Sequence, residues 1–553
     1  MNRTNIRVAV VEDNGLARAN LRNHLVDMGF SDIHCFTNGR ELRARLKNQP
    51  IDLLLMDFHL GQNKNGVEVV QELRAEHLIT HTTCVIFITS DRLPLIVGQI
   101  VDMHPEALVL KPYTLHTLTK TIIGSISLHQ YLLPVYELMD DDNYPQALVV
   151  LDMLMAKNDA PRRHSALLKL KARILTKLER FQDAADIYRD ILAGSDKVLW
   201  AKWGLIQNLF LDNQIEQSQQ LLHQLTKSQL TNDKACEWLA RICVSNNQYS
   251  RAEAYMQQIR EGELSLSAAR LKAYIYQAQE RGDEAIHLLE RKRESNRSVR
   301  ERFDEITLDL ARCYMFDAED KTPKEREHHL QIAKALIGSA GRRGADSQLK
   351  VKKDYMHAAV AQLEGNTERL NEILARPGME NLQQADVATL FDAINAWQHV
   401  GNTERAKQIL SLSQQKLNSI EEGNDKTVSG ILVMKGEEAI GEQRPLAMEY
   451  NNKGLEKYAD RRFLQAIEDF HRAYELFPRE VAFSLNLLQS LVDANMTKYR
   501  DIVTLDFLLE LQNRRHNPAN QKRLNEIIHK VRQKTEVFKL ELNSAENSSS
   551  QQS

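Results

Sequence analysis

A chain of 553 residues is too long for one ordinary core, so two or more domains are expected. Its formal net charge of −3 offers no global attraction to nucleic acid or to an anionic membrane. No leader-like start and no apolar run of bilayer length occur, which predicts a soluble, cytoplasmic protein. Aromatic residues are only 6% while Leu, Ala, Gln, Glu and Arg abound, so a mostly helical body is predicted beyond the first domain.

Residues 6–11 form the first predicted strand, which runs straight into Glu12 and Asp13. Adjacent acids at a strand end are costly unless neutralised, and a hard divalent cation is the usual answer. Residues 14–28 carry helical spacing, with Leu16, Leu21 and Leu25 apolar, and stop at Gly29. A strand at 33–36 and a helix at 40–47 continue the alternation. The unbroken apolar run 53–56 suits a parallel strand covered on both faces, and Asp57 stands where that strand leaves the sheet. Open α/β sheets bind ligands at this edge. Gly66 opens a helix through Val67, Val70 and Leu73. Residues 84–90 are a further buried strand ending in Thr89 and Ser90, and 107–112 a last one ending in Lys111-Pro112, a bond open to the cis form. Residues 114–127 close the unit as a helix.

This set of strand ends, Glu12-Asp13, Asp57, Thr89-Ser90 and Lys111-Pro112, resembles the receiver domain of two-component response regulators, over about the first quarter of the chain. The resemblance implies a flavodoxin-like, doubly wound parallel α/β sheet for residues 1–127. It implies that Asp57 is the phosphoacceptor, a carboxylate nucleophile forming an aspartyl phosphate, and that a histidine kinase or phosphotransfer protein is the donor. Asp13, helped by Glu12, would hold Mg²⁺, with Asp57 and the backbone carbonyl of His59 as further oxygen ligands. Thr89 would donate its hydroxyl to one phosphoryl oxygen and Lys111 would pair with another, while Ser90 leaves the group room. One departure stands out. Leu108 occupies the position, three residues before the lysine, where many receivers carry Tyr or Phe, so the family's aromatic switch does not carry over.

Past residue 127 the strand signal disappears and a spaced helical pattern replaces it. Phe181, Ala184, Tyr188 and Ile191 recur as Ile215, Ser218, Leu222 and Leu225, then as Tyr249, Ala252, Met256 and Ile259. An earlier set begins at Tyr144 and Ala147, and a later one holds Ala285 and Leu289. This pattern resembles the tetratricopeptide repeat (TPR), a pair of antiparallel helices in which a small residue allows close approach. The clearest copy has Tyr450, Gly454, Phe463, Ala466, Phe470, Ala473 and Pro478. Between them Gly365-Asn366-Thr367-Glu368-Arg369 recurs as Gly401-Asn402-Thr403-Glu404-Arg405, each at an expected turn. The resemblance implies an all-α superhelical array over 128–415 and 448–540, whose concave surface takes a peptide or protein partner.

Residues 416–447, with Gly423, Gly430 and Gly436, are expected to form a linker or long loop, and 541–553, mostly Ser, Asn and Gln with no core-forming residues from Asn543 on, a disordered tail. Residues 128–142 are expected to start the first repeat after a short connection, with receiver and array touching. The five cysteines show no metal-site spacing and are read as buried small hydrophobes; His328-His329 is read as a solvated helix face.

The expected function is a phosphorylation-controlled interaction protein, with a constitutive scaffold carrying the receiver as a docking module as one alternative. Another is RNA or DNA binding by the array, prompted by Arg291-Lys292-Arg293, Arg297, Arg300 and Arg302, with Arg342-Arg343 later, although Glu290, Glu294 and Glu301 interleave with the first cluster. No cyclic-dinucleotide, Walker or clustered-acid signature follows residue 127, so no enzyme is expected beyond self-phosphorylation and dephosphorylation at Asp57.

Overall fold

Alternating apolar residues on five short strands create two opposite core faces. In a computed structural model the described residues are 3–61, 64–91, 94–158, 160–319, 321–341, 347–441, 443–478, 480–500, 502–512, 518–534 and 537–538. The strands are β1 (Arg7–Val11), β2 (Asp32–Phe36), β3 (Leu53–Asp57), β4 (Cys84–Thr89) and β5 (Ala107–Leu110). All pair in parallel in the order β2-β1-β3-β4-β5. Between them run α1 (Gly15–Asp27), α2 (Gly39–Leu46), α3 (Gly66–Ala75) and α4 (Pro94–Asp102), followed by α5 (Leu115–Asp140). Val8, Val10, Leu53, Leu55, Ile86 and Ile88 face Leu21, Leu25, Leu118 and Ile122 of α1 and α5. Ala9, Val11, Leu54, Met56, Val85 and Phe87 face Leu42, Val67, Val70, Leu73 and Ile100 of α2, α3 and α4. The flavodoxin-like sheet that the resemblance implies is present.

Local chemistry starts these helices. Asn14, Asn38, Asn65 and Thr114 each accept a hydrogen bond from a first-turn N–H, and Gly29 ends α1 at φ +91°. Leu16, expected on the apolar face of α1, is instead 74% exposed. The helix expected to close at 127 does not stop there. It continues as one helix of 26 residues, because Ile126, His129, Leu132, Val135 and Met139 prolong the same buried stripe. The expected short connection at 128–142 is therefore absent.

The chain divides into two compact units: Met1–Asn246 with Tyr255–Leu264 and Arg291–Thr307, and Asn247–Ala254 with Ser265–Glu290 and Leu308–Ser553. In the first unit, helices Tyr144–Ala156, Pro161–Lys177, Phe181–Gly194 and Leu199–Leu211 each pack on the one before. Gly204 lies beneath Tyr188, where a Cβ would come within 2.5 Å of Cε1.

The repeat is written into the backbone. Asp142, Glu179, Asn213, Asn247 and Glu280 all adopt positive φ, and a helix begins two residues after each, at Tyr144, Phe181, Ile215, Tyr249 and Gly282. These left-handed turns stand 37, 34, 34 and 33 residues apart, the offsets of the apolar pattern. In the second unit Gly365 and Gly401 take φ +69° and +83°, and Asn366 and Asn402 each cap the helix that follows.

Two expectations about the second unit fail. Residues 424–440 form a helix, Asn424–Ile440, not a linker, and it packs on Leu266–Ala278, Val387–His399 and Thr403–Ser419. Gly436 is used there for close approach, since a Cβ would lie 3.1 Å from Ile394 Cδ1. A two-stranded antiparallel ribbon, Lys498–Tyr499 with Ile502–Val503, interrupts the helices. The expected disordered tail lies outside the described residues.

Candidate functional site

Three strand ends deliver carboxylates and a cation to one point. β1 runs into Glu12 and Asp13, β3 ends in Asp57, and single ligand oxygens of all three lie within 4.8 Å of one another. Glu12 and Asp57 are buried and Asp13 is exposed. Lys111, just past β5, bridges the buried pair: its Nζ donates to Glu12 Oε2 at 2.6 Å and to Asp57 Oδ2 at 3.0 Å. Burial opposes the Lys111 charge, but the Glu12 hydrogen bond and the Asp57 charge outweigh it and hold the ammonium above its ordinary value. Burial pushes the Glu12 carboxyl up, against the pull of Lys111.

One lysine cannot neutralise three acids. Asp57 Oδ1 is buried and has no hydrogen-bond partner among the described residues, a costly condition for a carboxylate oxygen. An oxygen-lined, acid-rich pocket with an orphaned ligand atom fits a hard divalent cation such as Mg²⁺.

Of the other sequence-selected residues, Thr89 is fully buried at the end of β4, one strand from Asp57. Its Oγ1 accepts the Asp91 N–H at 3.1 Å, and its carbonyl accepts the Lys111 N–H at 2.7 Å. No side-chain hydrogen bond joins Thr89 to Asp57 or Lys111 among the described residues. Ser90 is exposed. His59 begins the loop after β3, with its ring 3.2 Å from Asp91. The Lys111-Pro112 bond is cis.

The β3–α3 loop contributes residues that the sequence reading missed. The Gly66 N–H donates to Phe58 O at 2.8 Å, closing the loop, and a Cβ on Gly66 would meet the Asp57 carbonyl and lie 2.8 Å from Met56 Cγ. Gly61, at φ +65°, lies against Asp13, where a Cβ would come 2.9 Å from Oδ2. Arg18 was also missed: its Nη1 donates to the Glu12 carbonyl at 2.7 Å and the Asp13 carbonyl at 3.2 Å, tying the acidic turn to α1. The glycines after Asp57 were the available signal; Arg18 left none.

All five cysteines are free thiols, and only Cys35 is less than buried. Cys84 does have companions, Glu106 and His129, but both His129 ring nitrogens are engaged, by Glu106 Oε1 and by Thr82 O. His329 is not on a solvated face: it packs edge-on to Tyr314 and lies 3.1 Å from Asp317, while His328 is exposed. The basic run at 291–302 is already partnered, and Arg342-Arg343 lies outside the described residues. Arg291 pairs with Glu261 at 2.6 Å, Arg293 donates to Thr307 at 2.7 Å, Arg297 meets Glu294 at 3.3 Å and Arg302 grips Glu68.

A parallel 2-1-3-4-5 sheet with clustered acids and a lysine at its carboxyl edge defines the receiver class of α/β domains. Residues 8–123 match the model of the response regulator receiver domain family, and this part of the chain is such a domain. The TorCAD operon transcriptional regulatory proteins TorR of Escherichia coli O157:H7 and of strain K12 are each 30% identical over 132 residues, covering 23% of this chain. The match spans 54% of their sequences, so the chain covers about half the length of the curated relatives it matches. Among solved structures, the signal receiver domain of a modulated diguanylate cyclase from Desulfovibrio desulfuricans G20 is 29% identical with a TM-score of 0.21, covering 23% of this chain and 96% of that one. A LuxR-family DNA-binding response regulator from Staphylococcus aureus is 23% identical with a TM-score of 0.20, covering 22% of this chain and 98% of that one. No described helix is long and apolar enough to cross a membrane.

Proposed function

We propose that the chain is a response regulator of a two-component phosphorelay, in which phosphorylation of Asp57 controls what a TPR array binds. The observation that carries this reading is Lys111 bridging Glu12 and Asp57 while Asp57 Oδ1 stays buried and unpartnered at the sheet edge. An Asp57 oxygen attacks the phosphorus of a phosphohistidine on a kinase or phosphotransfer protein; the P–N bond breaks, a P–O bond forms, and the donor imidazole takes up a proton. Glu12, Asp13, Asp57 and the His59 carbonyl are the groups that would hold Mg²⁺, which supplies charge neutralisation at the transferring group. Lys111 would exchange its Asp57 contact for a phosphoryl oxygen, and the Thr89 hydroxyl would donate to another.

The TPR assignment is supported by the left-handed turns recurring every 33–37 residues and by small residues under aromatic rings, Gly204 under Tyr188 and Gly454 under Phe470. The α5 helix, running unbroken from the receiver into Asp140, supports mechanical coupling of the two. Nucleic-acid binding gains no such support, because the cations that suggested it already hold protein acceptors. The reading assigns no turnover beyond Asp57 phosphorylation and its hydrolysis.

The test is affinity capture from native cytoplasm with the full chain, with and without beryllofluoride and Mg²⁺, beside Asp57→Ala. A partner set that changes with the phosphate mimic only when Asp57 is present supports the switch. One identical set in all three states makes the array a constitutive scaffold. Failure of a small-molecule phosphodonor to label the unaltered chain at Asp57 removes the reading altogether.

A further inference from the structure

The acidic site is followed by a loop that a distant helix holds in place. Arg300–Ala318 begins 243 residues after Asp57, yet its first turns, within Arg291–Thr307, belong to the same compact unit as the receiver. Three charged residues of this helix, Glu301, Arg302 and Glu305, meet opposite charges on α2, on the β3–α3 loop and on α3. Arg302 Nε lies 2.7 Å and 2.9 Å from the two Glu68 carboxylate oxygens, and its Nη2 bonds Glu68 as well. Lys64, only 7% exposed, is held between Glu305 and Glu72 of α3. Arg40 of α2 donates to Glu301 at 2.7 Å.

These contacts end on groups that shape the site. Glu68 Oε2, gripped by Arg302, also accepts the Asn65 N–H at 2.9 Å and so completes the cap of α3. Gly66, the next residue, bonds back to Phe58 O. Between those points lie His59, whose carbonyl would face the cation, and Gly61, packed on the Asp13 carboxylate. Burial works against the Lys64 charge, but Glu305 and Glu72 raise its pKa, so this buried cation depends on both carboxylates.

We propose that the Glu301–Arg302–Glu305 turn is an internal ligand of the receiver that preorganises residues 58–61 and 64–65 after β3 and thereby tightens divalent-cation binding at Asp57. The inference rests on the receiver reading given under Proposed function. Docking meets the ordering cost of the loop before the cation arrives, which raises its affinity. Reciprocity then requires that occupancy of the Asp57 site strengthen the docking of 301–305 by the same factor, a route by which the state of Asp57 reaches the array.

The test uses the full chain, with MgCl₂ titrated calorimetrically. Arg302→Glu and Glu305→Lys are expected to weaken Mg²⁺ about 5–10-fold, at the low end of the usual range of coupling, while Arg302→Lys keeps most of the affinity. Hydrogen exchange on the unaltered chain needs no variant: Mg²⁺ with beryllofluoride should slow exchange at amides 301–307 as well as 58–66. Equal Mg²⁺ affinity within about twofold in all variants, or exchange at 301–307 that ignores site occupancy, overturns the coupling and leaves the receiver reading intact. Absence of Asp57-dependent Mg²⁺ binding in the unaltered chain overturns both.

Discussion

His129, in the extension of α5, pairs with Glu106 at the foot of β5, Nδ1 to Oε1 at 2.8 Å, while its Nε2 lies 3.0 Å from the Thr82 carbonyl. Both partners are acceptors, so both ring nitrogens must donate, and the imidazole is held as its cation. The same helix ends at Asp140, whose carboxylate accepts the N–H groups of His81 and Thr82 at 2.7 Å and 3.1 Å. The receiver is thus clasped to the start of the helical array from the edge of its sheet opposite Asp57.

This clasp predicts a pH dependence. Burial opposes the His129 charge, but the Glu106 hydrogen bond and its negative charge prevail and raise the imidazole above 6.5. A raised pKa contributes stability that is fully present below the ordinary value and disappears as pH rises through the native one. Melting followed from about pH 6 to about pH 9 should show that loss in the unaltered chain, and His129→Gln should lack it. Parallel pH profiles in the two proteins would refute the assignment.

His81 predicts the opposite slope. Burial, aided by Arg173, lowers its imidazole to about 4, so the ring is neutral in the folded chain. Stability from this group is present above 6.5 and is lost as pH falls towards about 4. Stacked on Tyr136, the ring is mimicked by an uncharged aromatic, so His81→Phe should flatten the acid limb of the same melting profile. An acid limb unchanged in His81→Phe would place the sensitivity elsewhere.

Lys111 is the only cation bonded to the side-chain carboxylates of Glu12 and Asp57 among the described residues. Lys111→Ala leaves two buried carboxylates without a cation, Glu12 keeping the Asn14 N–H at 3.3 Å, which should cost about 1–3 kcal/mol in metal-free buffer. Mg²⁺ should then stabilise K111A more than the unaltered chain, because the ion meets no competing charge. Thermal melts with and without Mg²⁺ decide it, and an equal shift in both proteins would show that Lys111 and the ion do not share the same oxygens.

The sheet and the acidic edge were legible because buried apolar runs ending in a charge admit few other readings: Leu53 to Met56 then Asp57, and β5 then Lys111. Helix α4 escaped notice since Leu95, Ile96 and Val97, then Ile100 and Val101, form a short apolar run with strand-like letters. The continuity of α5 across 127 was illegible for another reason. An amphipathic stripe carries no mark of where one domain hands over to the next. Gly430 and Gly436 have the letters of helix breakers, whereas in the packed array Gly436 admits the Ile394 side chain. Docking of 301–305 on α3 left no signal, because charges 234 and 241 residues apart have no periodicity to read.

The second unit offers the sharpest test of close helix approach. Helices Gln443–Ala459 and Phe463–Leu476 pack with Gly454 facing the Phe470 ring, where a Cβ would lie 2.6 Å from both Cδ1 and Cε1. Phe470 is 1% exposed, with Ala466, Leu485 and Leu488 in the same core, so the ring has no open space to move into. Gly454→Ala gains helix propensity of about 1 kcal/mol yet must shift that ring, and overpacking of this kind costs typically about 1–3 kcal/mol. The net expectation is a loss of stability, read as faster hydrogen exchange across 447–476, while Gly454→Ala combined with Phe470→Leu recovers part of it. Exchange that slows in Gly454→Ala would show that propensity outweighs packing and that the two helices are free to separate.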